Sequence, residues 1–301
     1  MPVPDSEAHG DGATPAVVQD FGPIIELATR VLAPAGVVSA LLYYFGYVRE
    51  QALFAYFGAD LGSLGFSTTD YLVRSAGTFF ILLATLLVVA LAAVAAHHLL
   101  RYLLSRAPRW ARRTVWTALY AAAVALLLFG VIGLYRRSHP LLRPLAAPAA
   151  LGAGAVLLQY AVGATAGTTS GTPLATTLAA TRTLRRVLAG ALALISIFWL
   201  AATVALQRGI DTARAIELAL PAQPQAVVYS HDRLQISGPG VNVVPLDTPG
   251  STFAFRYNGL RVLVHTGGRW FLLPVGWTHE NGATVILLPD RSDSIRVDLA
   301  P

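Results

Sequence analysis

The sequence predicts an α-helical transmembrane bundle of about five spans, followed by a small all-β barrel or sandwich domain. Three observations support this prediction. Charged residues make up only 13% of the 301-residue chain and the mean hydropathy is +0.58, so too little charge is present to coat a soluble globule. Long apolar blocks alternate with arginine-bearing segments up to residue 208. Beyond residue 225 the apolar residues alternate with period two, which is typical of strands.

The first 22 residues predict a disordered tail. They are rich in Pro, Gly, Ala and Asp, and no apolar core can form from such a composition. They do not predict a signal peptide, because their charges are acidic and no A-x-A cleavage pattern follows the first apolar block.

Five apolar blocks are each long enough to cross about 30 Å of hydrocarbon as a helix. None of them contains Asp, Glu, Arg or His. The predicted spans are residues 31–48, 75–96, 114–135, 145–167 and 187–207. Between the first two spans, residues 51–74 are apolar and aromatic but interrupted by glycine, which predicts an interfacial helix or loop. Ser67 followed by Asp70 predicts a capping box at the start of the second span.

The basic residues lie between the predicted spans. No acidic residue occurs between Asp70 and Asp211, whereas this stretch contains 13 arginines. The arginine-rich loop after the second span predicts a cytoplasmic side, which places the N-terminus inside and the C-terminus outside a bacterial cell membrane. Arginines dispersed between spans argue against nucleic-acid binding. We expect six residues of this loop to contact lipid headgroups, with specific lipid or partner recognition as the alternative: Arg101, Arg106, Arg109, Trp110, Arg112 and Arg113.

From residue 226 onward the sequence predicts strands joined by tight turns. Asn258-Gly259 and Gly267-Gly268 each predict a two-residue hairpin turn, because both dipeptides tolerate positive φ. Besides the strands that flank these turns, strands are predicted at 226–230, 233–237, 241–246, 283–289 and 294–299.

The second turn fixes a cross-strand register. It places Phe271 opposite Val264 and Leu273 opposite Val262, so that neighbouring strands share one apolar face. Because the alternation closes on itself through short turns, we expect residues 226–301 to fold alone outside the membrane. A linker over residues 209–225 then joins this domain to a bundle formed by residues 23–208.

No pattern in the sequence predicts catalysis, a metal centre or a cofactor. The chain has no cysteine, which excludes disulfides, thiol catalysis and cysteine-ligated zinc or iron–sulfur sites. The seven histidines form neither an i,i+4 pair nor an H-E-x-x-H motif, and no P-loop, G-x-S-x-G or G-x-G-x-x-G occurs. We therefore expect no enzyme activity.

Two further groups of residues are candidates for packing or binding. In the fourth span, small residues at four-residue spacing and one central amide predict close helix packing, with a substrate-facing amide as the alternative: Gly154, Gln159, Gly163 and Gly167. In the β domain, an aromatic and basic face predicts a ligand site or a docking surface: Arg261, His265, Trp270, Trp277 and His279. The aromatic residues of 51–74 either lie in the lipid interface or form a platform on which this domain rests.

Two runs of the sequence carry a resemblance. ALFAYFGADLGSLGFSTTDYLVRS and GLRVLVHTGGRWFLLPVGW resemble segments of uncharacterised multi-pass membrane proteins of actinomycetes. This resemblance implies a membrane location and transfers no activity and no functional residues.

Two function classes remain open. The first is a non-catalytic membrane anchor that presents an extracytoplasmic β domain for binding, sensing or complex assembly, with the lipid bilayer and either a protein partner or a second copy of the chain as partners. The alternative is a transporter or channel subunit built on the bundle. The lack of ionisable Asp, Glu, Arg and His inside the predicted spans disfavours the second class, because proton relays and ion paths need such groups.

Overall fold

The computed structural model of the chain describes residues 22–135, 145–165, 181–246, 252–290 and 293–300. Within these described residues, five α-helices precede the strands. They are α1 Gly22–Tyr56, α2 Thr68–Arg106, α3 Arg109–Tyr135, α4 Ala146–Thr165 and α5 Arg182–Leu218. The chain divides into two compact units, residues 1–41 and residues 42–301, and helices α2 to α5 and all strands belong to the second.

Four of these helices identify the chain as a membrane protein. Within the described residues, α2 from Phe80 onward, α3, α4 and α5 are long and apolar enough to cross a membrane. The predicted span at 31–48 lies inside α1, which is not among the four, so a fifth span stays a prediction.

The connection between α1 and α2 is tightly built. Helix α1 continues to Tyr56, so the first residues of the segment expected as an interfacial helix or loop are helical. A short 3-10 helix follows at Leu61–Leu64. The predicted capping box at the start of α2 is confirmed: the Ser67 backbone N–H donates to Asp70 Oδ2 over 2.8 Å, and the Asp70 N–H donates back to Ser67 Oγ. The hydrogen bonds from Ser67 lower the pKa of Asp70, because they stabilise its charged form.

Glycines allow the closest helix contacts. A methyl group on Gly154 of α4 would lie 3.0 Å from the Ala123 carbonyl oxygen of α3. A methyl group on Gly209 of α5 would overlap the Arg49 carbonyl oxygen of α1. Small residues at these positions therefore bring the helix backbones together, as is common in membrane bundles.

The C-terminal part is an open antiparallel sheet and not a closed barrel, which corrects the barrel alternative. Its strands are β1 Gln225–Ser230, β2 Asn242–Pro245, β3 Phe255–Thr266, β4 Arg269–Pro274, β5 Ile286–Pro289 and β6 Ile295–Ala300. The order is β5-β4-β3-β1-β6, and β2 pairs with β3. Strand β1 pairs with one edge of β3. Along the other edge of β3, the first residues pair with β2 and the later residues pair with β4.

The predicted strand at 233–237 is absent from this sheet. The segment is instead held by a side chain, since the Tyr257 hydroxyl accepts from the Leu234 N–H at 2.6 Å and donates to the Leu234 carbonyl at 3.1 Å. A phenol that satisfies both backbone groups of Leu234 removes the need for a ladder partner.

Asn258-Gly259 does not form the predicted turn. Strand β3 runs through both residues, with Gly259 at φ 82°. The register between Ala226 and Val228 of β1 shifts here, so that the dipeptide forms a β-bulge. A methyl group on Gly259 would also overlap the carbonyl oxygen of Gly240. The Asn-Gly dipeptide therefore predicts a residue with positive φ, and such a residue occurs both in hairpin turns and in β-bulges.

The second predicted turn is present between β3 and β4. Val264 pairs with Phe271, as predicted. Val262 pairs with Leu272 rather than with Leu273, because the register shifts between Val262 and Val264.

The two faces of the sheet have different partners. One face forms a core within the sheet, and it includes Val228, Tyr257, Leu260 and Leu272. Phe271 and Leu273 point to the other face and share a core with residues of α1 and α5. The β part is therefore not closed on itself, because half of its apolar surface is covered by the helices.

Candidate functional site

A basic cavity of about 1010 Å³ lies at the end of the bundle where α2 and α4 finish and α3 and α5 begin. Six arginines line it: Arg101 of α2, Arg109, Arg112 and Arg113 of α3, and Arg182 and Arg186 of α5. Positions three or four residues apart share one face of a helix, so each helix turns its arginines into the same space.

Aromatic and polar side chains form the rest of the wall. His97 Nδ1 lies 2.9 Å from the Tyr160 hydroxyl, and the Trp116 ring lies 6.1 Å from the Tyr160 ring. Gln159 lines the cavity beside them. The site thus offers guanidinium, imidazole, hydroxyl and amide donors around one volume.

Among the described residues, the positive charge of this cavity has no nearby counter-charge. None of its lining residues is acidic, and the sequence has no Asp or Glu between Asp70 and Asp211. Within the described part of the chain, the six guanidinium groups form no ion pair. Two helix N-termini and two C-termini meet here, so their macrodipoles largely offset each other. The positive potential comes from the arginine side chains.

A second, apolar groove of about 440 Å³ adjoins the cavity. It runs between α3, α4 and α5 and is lined mainly by aliphatic side chains, among them Leu127, Leu158 and Leu188. Gln159 lines both the groove and the basic cavity. Arg185 Nε donates to Gln159 Oε1 over 3.1 Å, whereas Arg185 Nη1 is buried with no hydrogen-bond partner among the described residues.

The six residues predicted to contact lipid headgroups separate into two groups. Arg101, Arg109, Arg112 and Arg113 line the cavity. Arg106 stacks on Tyr102, with the guanidinium carbon 4.2 Å from the ring centre, and Trp110 is 73% exposed. Arg182, Arg185 and Arg186 were not predicted as site residues, although their i,i+3 and i,i+4 spacing at the start of α5 was a usable signal.

At the opposite end of the bundle, the sheet packs on α1, α5 and the α1–α2 connection. Trp277 is 4% exposed and its ring lies 4.8 Å from that of Phe57. A methyl group on Gly267 of the β3–β4 turn would lie 2.8 Å from the Leu64 carbonyl oxygen. The shared core also contains Leu53 and Phe54 of α1, Ala213 of α5, and Phe271 and Leu273 of β4.

A polar network joins the same elements. The Tyr56 hydroxyl donates to Glu217 Oε2 over 2.5 Å, and the His279 backbone N–H donates to Glu217 Oε1 over 2.8 Å. The His279 ring stacks on Tyr56 with ring centres 4.2 Å apart. The bond to Glu217 raises the pKa of Tyr56, because it stabilises the protonated phenol. Tyr56 is one of the aromatic residues of 51–74 that were expected to lie in the lipid interface or to support the β domain. Glu217 was not singled out in the sequence, since nothing local indicates that it meets Tyr56.

The other residues of the predicted aromatic and basic face lie elsewhere. His265 stacks on Trp270 at 4.0 Å, and both contact Asp290 at the exposed end of the β3–β4 hairpin. Arg261 donates to the Gln223 carbonyl over 2.8 Å. The predicted face is therefore divided between Trp277 and His279 at the interface, an exposed group around Trp270, and a linker contact.

The fourth-span candidates also differ in position. Gly154 lies at the α3–α4 contact, whereas a methyl group on Gly163 would meet no atom within 4 Å. Gly152 was not predicted, yet a methyl group there would lie 2.9 Å from Ser196 Cβ of α5. Gly167 falls outside the described residues.

Comparison of the chain with protein-family models, curated proteins and solved structures gave no significant match.

The chemistry of the two sites is different. Among the described residues, no group of three or more His, Asp or Glu side chains could hold a metal ion. The basic cavity can bind an anion through several charge-assisted hydrogen bonds, which are stronger than neutral ones. The sheet–bundle interface, with its buried aromatic core, can hold the β-sheet in one orientation.

Proposed function

We propose that the protein is a non-catalytic membrane anchor that holds its β domain in a fixed orientation, so that the exposed surface of the domain can bind, sense or assemble with a partner. In this proposal the domain, residues 226–301, lies outside a bacterial cell membrane and the N-terminus lies inside. The observation that supports it best is the interface between Trp277 and Phe57, because a domain free on a linker has no use for a buried aromatic core of this kind.

Two neighbouring glycines provide a test of the fixed orientation. Gly267 and Gly268 both have positive φ, so alanine at either position loses about 1 kcal/mol or more from strain. Only Gly267 faces Leu64 across the interface, and Gly268 has nothing within 4 Å. We expect Gly267→Ala to lower the unfolding free energy of the detergent-solubilised chain by about 1 kcal/mol more than Gly268→Ala, because of overpacking. Equal effects would argue against a closed interface.

A disulfide provides a second test in the membrane itself. A methyl group on Gly65 would lie 3.6 Å from Gly267 Cα, which is compatible with the Cβ separation that a disulfide needs. The native chain has no cysteine, so Gly65→Cys/Gly267→Cys should cross-link under mild oxidation. Gly65→Cys/Gly282→Cys is the matched control and should not. The linked peptides are detected by mass spectrometry, and a link of equal yield in the control counts against a fixed domain.

The anchor and the transporter alternative differ in two measurements. An anchor should retain a stoichiometric protein partner, or a second copy of the chain, in mild detergent. Liposomes that contain an anchor should also show the same rate of ion flux as liposomes without protein. Flux that rises in proportion to the amount of protein would instead favour a channel or transporter subunit. A reporter fused after residue 301 that is active only in the cytoplasm would overturn the orientation.

A further inference from the structure

The arginine cavity and the apolar groove form one continuous amphipathic site. Gln159 lines both, and Arg185, which lines the groove, donates to the Gln159 side chain. A ligand that fits both parts has an anionic group for the cavity and an aliphatic chain for the groove. In a membrane protein, a phospholipid combines these two properties.

The charges of the site favour an anionic headgroup over a zwitterionic one. Six arginines line a volume to which the described residues contribute no acidic side chain, and a zwitterionic headgroup would bring its own cation into that field. Guanidinium groups also bind phosphate oxygens in pairs of parallel hydrogen bonds, which suits a phosphodiester.

We propose that this cavity binds the phosphate group of an anionic glycerophospholipid, with one acyl chain lying in the groove between α3, α4 and α5. This inference stands apart from the proposed anchoring function, since the cavity and the sheet are at opposite ends of α2 and α5. Free inorganic phosphate shares the chemistry of the headgroup, so the experiment has to distinguish the two sources.

The first arm tests the cavity with variants of equal charge. Arg113→Gln/Arg186→Gln removes two lining arginines, and Arg106→Gln/Arg214→Gln removes two exposed arginines outside the cavity. The full chain is delipidated in a non-ionic detergent, and binding of phosphatidylglycerol and phosphatidylcholine is measured by native mass spectrometry. We expect the cavity pair to weaken phosphatidylglycerol binding at least about tenfold, and the control pair to change it less than about twofold. Equal losses in both pairs would mean bulk attraction only and would overturn the site.

The second arm tests the groove. Ala189 lines it, and Ala189→Phe fills the space that the acyl chain needs. The neighbouring Gly190→Phe is the control, because Gly190 does not line the groove and a methyl group there would meet no atom within 4 Å. We expect Ala189→Phe to weaken phosphatidylglycerol binding about as strongly as the cavity pair, and Gly190→Phe to leave it unchanged. No loss with Ala189→Phe would overturn the acyl-chain assignment.

The third arm adds inorganic phosphate as the competitor. Millimolar phosphate should displace phosphatidylglycerol only weakly, since it gains nothing from the groove. Phosphate that binds as tightly as the lipid, and equally well in Ala189→Phe, would assign the cavity to a soluble anion and overturn the lipid proposal. Indistinguishable binding of phosphatidylcholine and phosphatidylglycerol would also overturn it.

Discussion

Replacing Gly259 by alanine should be among the most damaging single-methyl changes in the sheet. Two independent effects act at this residue. Its φ of 82° is a conformation that residues with a Cβ adopt at a cost of about 1–2 kcal/mol. In addition, the methyl group would overlap the carbonyl oxygen of Gly240, which belongs to the backbone and cannot rotate away as a flexible side chain would.

Relief of that overlap has to move a hydrogen-bonded segment. The Gly259 carbonyl accepts from the Val275 N–H over 2.8 Å, and the Pro239 carbonyl accepts from the Gly276 N–H over 3.0 Å. Overpacking of this kind costs about 1–3 kcal/mol. Together with the backbone strain, we expect Gly259→Ala to lower the unfolding free energy by about 3 kcal/mol. Because the sheet shares a core with the helices, the scaling for a larger folding unit applies, and this loss corresponds to a fall in Tm of roughly 6–12 °C.

The matched control is Gly282→Ala. Gly282 has a similar φ of 59°, but a methyl group there meets no atom within 4 Å. Only the strain remains, so we expect a loss of about 1 kcal/mol and a fall in Tm of roughly 2–4 °C. The assay is thermal unfolding of the full chain in mild detergent, followed by tryptophan fluorescence. If the Tm of the Gly259→Ala variant is not clearly below that of the Gly282→Ala variant, the steric part of the reasoning is refuted.

Three further outcomes are expected at the α1–α2 end. Tyr56→Phe should remove part of the stability loss above about pH 10. The raised pKa of Tyr56 stabilises the folded chain at pH values below the ordinary pKa of tyrosine, and this stability disappears as pH rises through the pKa of the folded state. Identical alkaline melting profiles for the variant and the wild type would contradict this. Arg74→Gln should lower the Tm less than Glu50→Gln does. Glu50 is fully buried and paired with two arginines, whereas the Arg74 side chain is 40% exposed. A larger fall in Tm for Arg74→Gln would contradict this. Ser67→Ala should lower the unfolding free energy by about 1 kcal/mol through loss of the cap, and Thr69→Ala, the exposed control, should change it by less than half of that.

Features that depend on neighbouring residues could be predicted from the sequence. Helices α2 to α5 overlap four predicted spans, because the length of an apolar run decides whether a helix can cross the membrane. The capping box needs only Ser67 and Asp70, which are three residues apart. The Gly267-Gly268 turn is likewise local, and the pairing of Val264 with Phe271 follows directly from it.

Features that depend on distant residues could not be predicted. The meaning of Asn258-Gly259 depends on β1, whose pairing makes a bulge, and on Gly240, whose carbonyl leaves no room for a side chain. The contact of Tyr56 with Glu217 joins residues 161 positions apart. Apolar alternation shows that a strand has a buried face, but it does not show whether that face is covered by the sheet itself or by helices.

The charged residues at the two ends of the bundle differ in their partners. Carboxylates at the sheet end are paired within the chain, whereas the arginines at the other end line a cavity. At the sheet end, the buried carboxylate of Glu50 is paired with Arg49 at 2.7 Å and with Arg74 at 3.2 Å, and Glu217 is hydrogen-bonded by Tyr56 and His279. The carboxylates of Glu50 and Glu217 are therefore paired or hydrogen-bonded by residues of the chain itself.

At the other end, the requirement of topology alone is that arginines lie on one side of the membrane. It does not require them to converge. Exposed arginines could point away from one another into water, where mutual repulsion is screened, as the exposed Arg106 does in the same loop. Six arginines from three helices instead border one cavity, and none of the described residues that line it is acidic. All six arginines are exposed to solvent, so an anion that enters the cavity can reach their guanidinium groups. This convergence is the feature on which the lipid proposal rests, because the bilayer is an immediate source of such an anion.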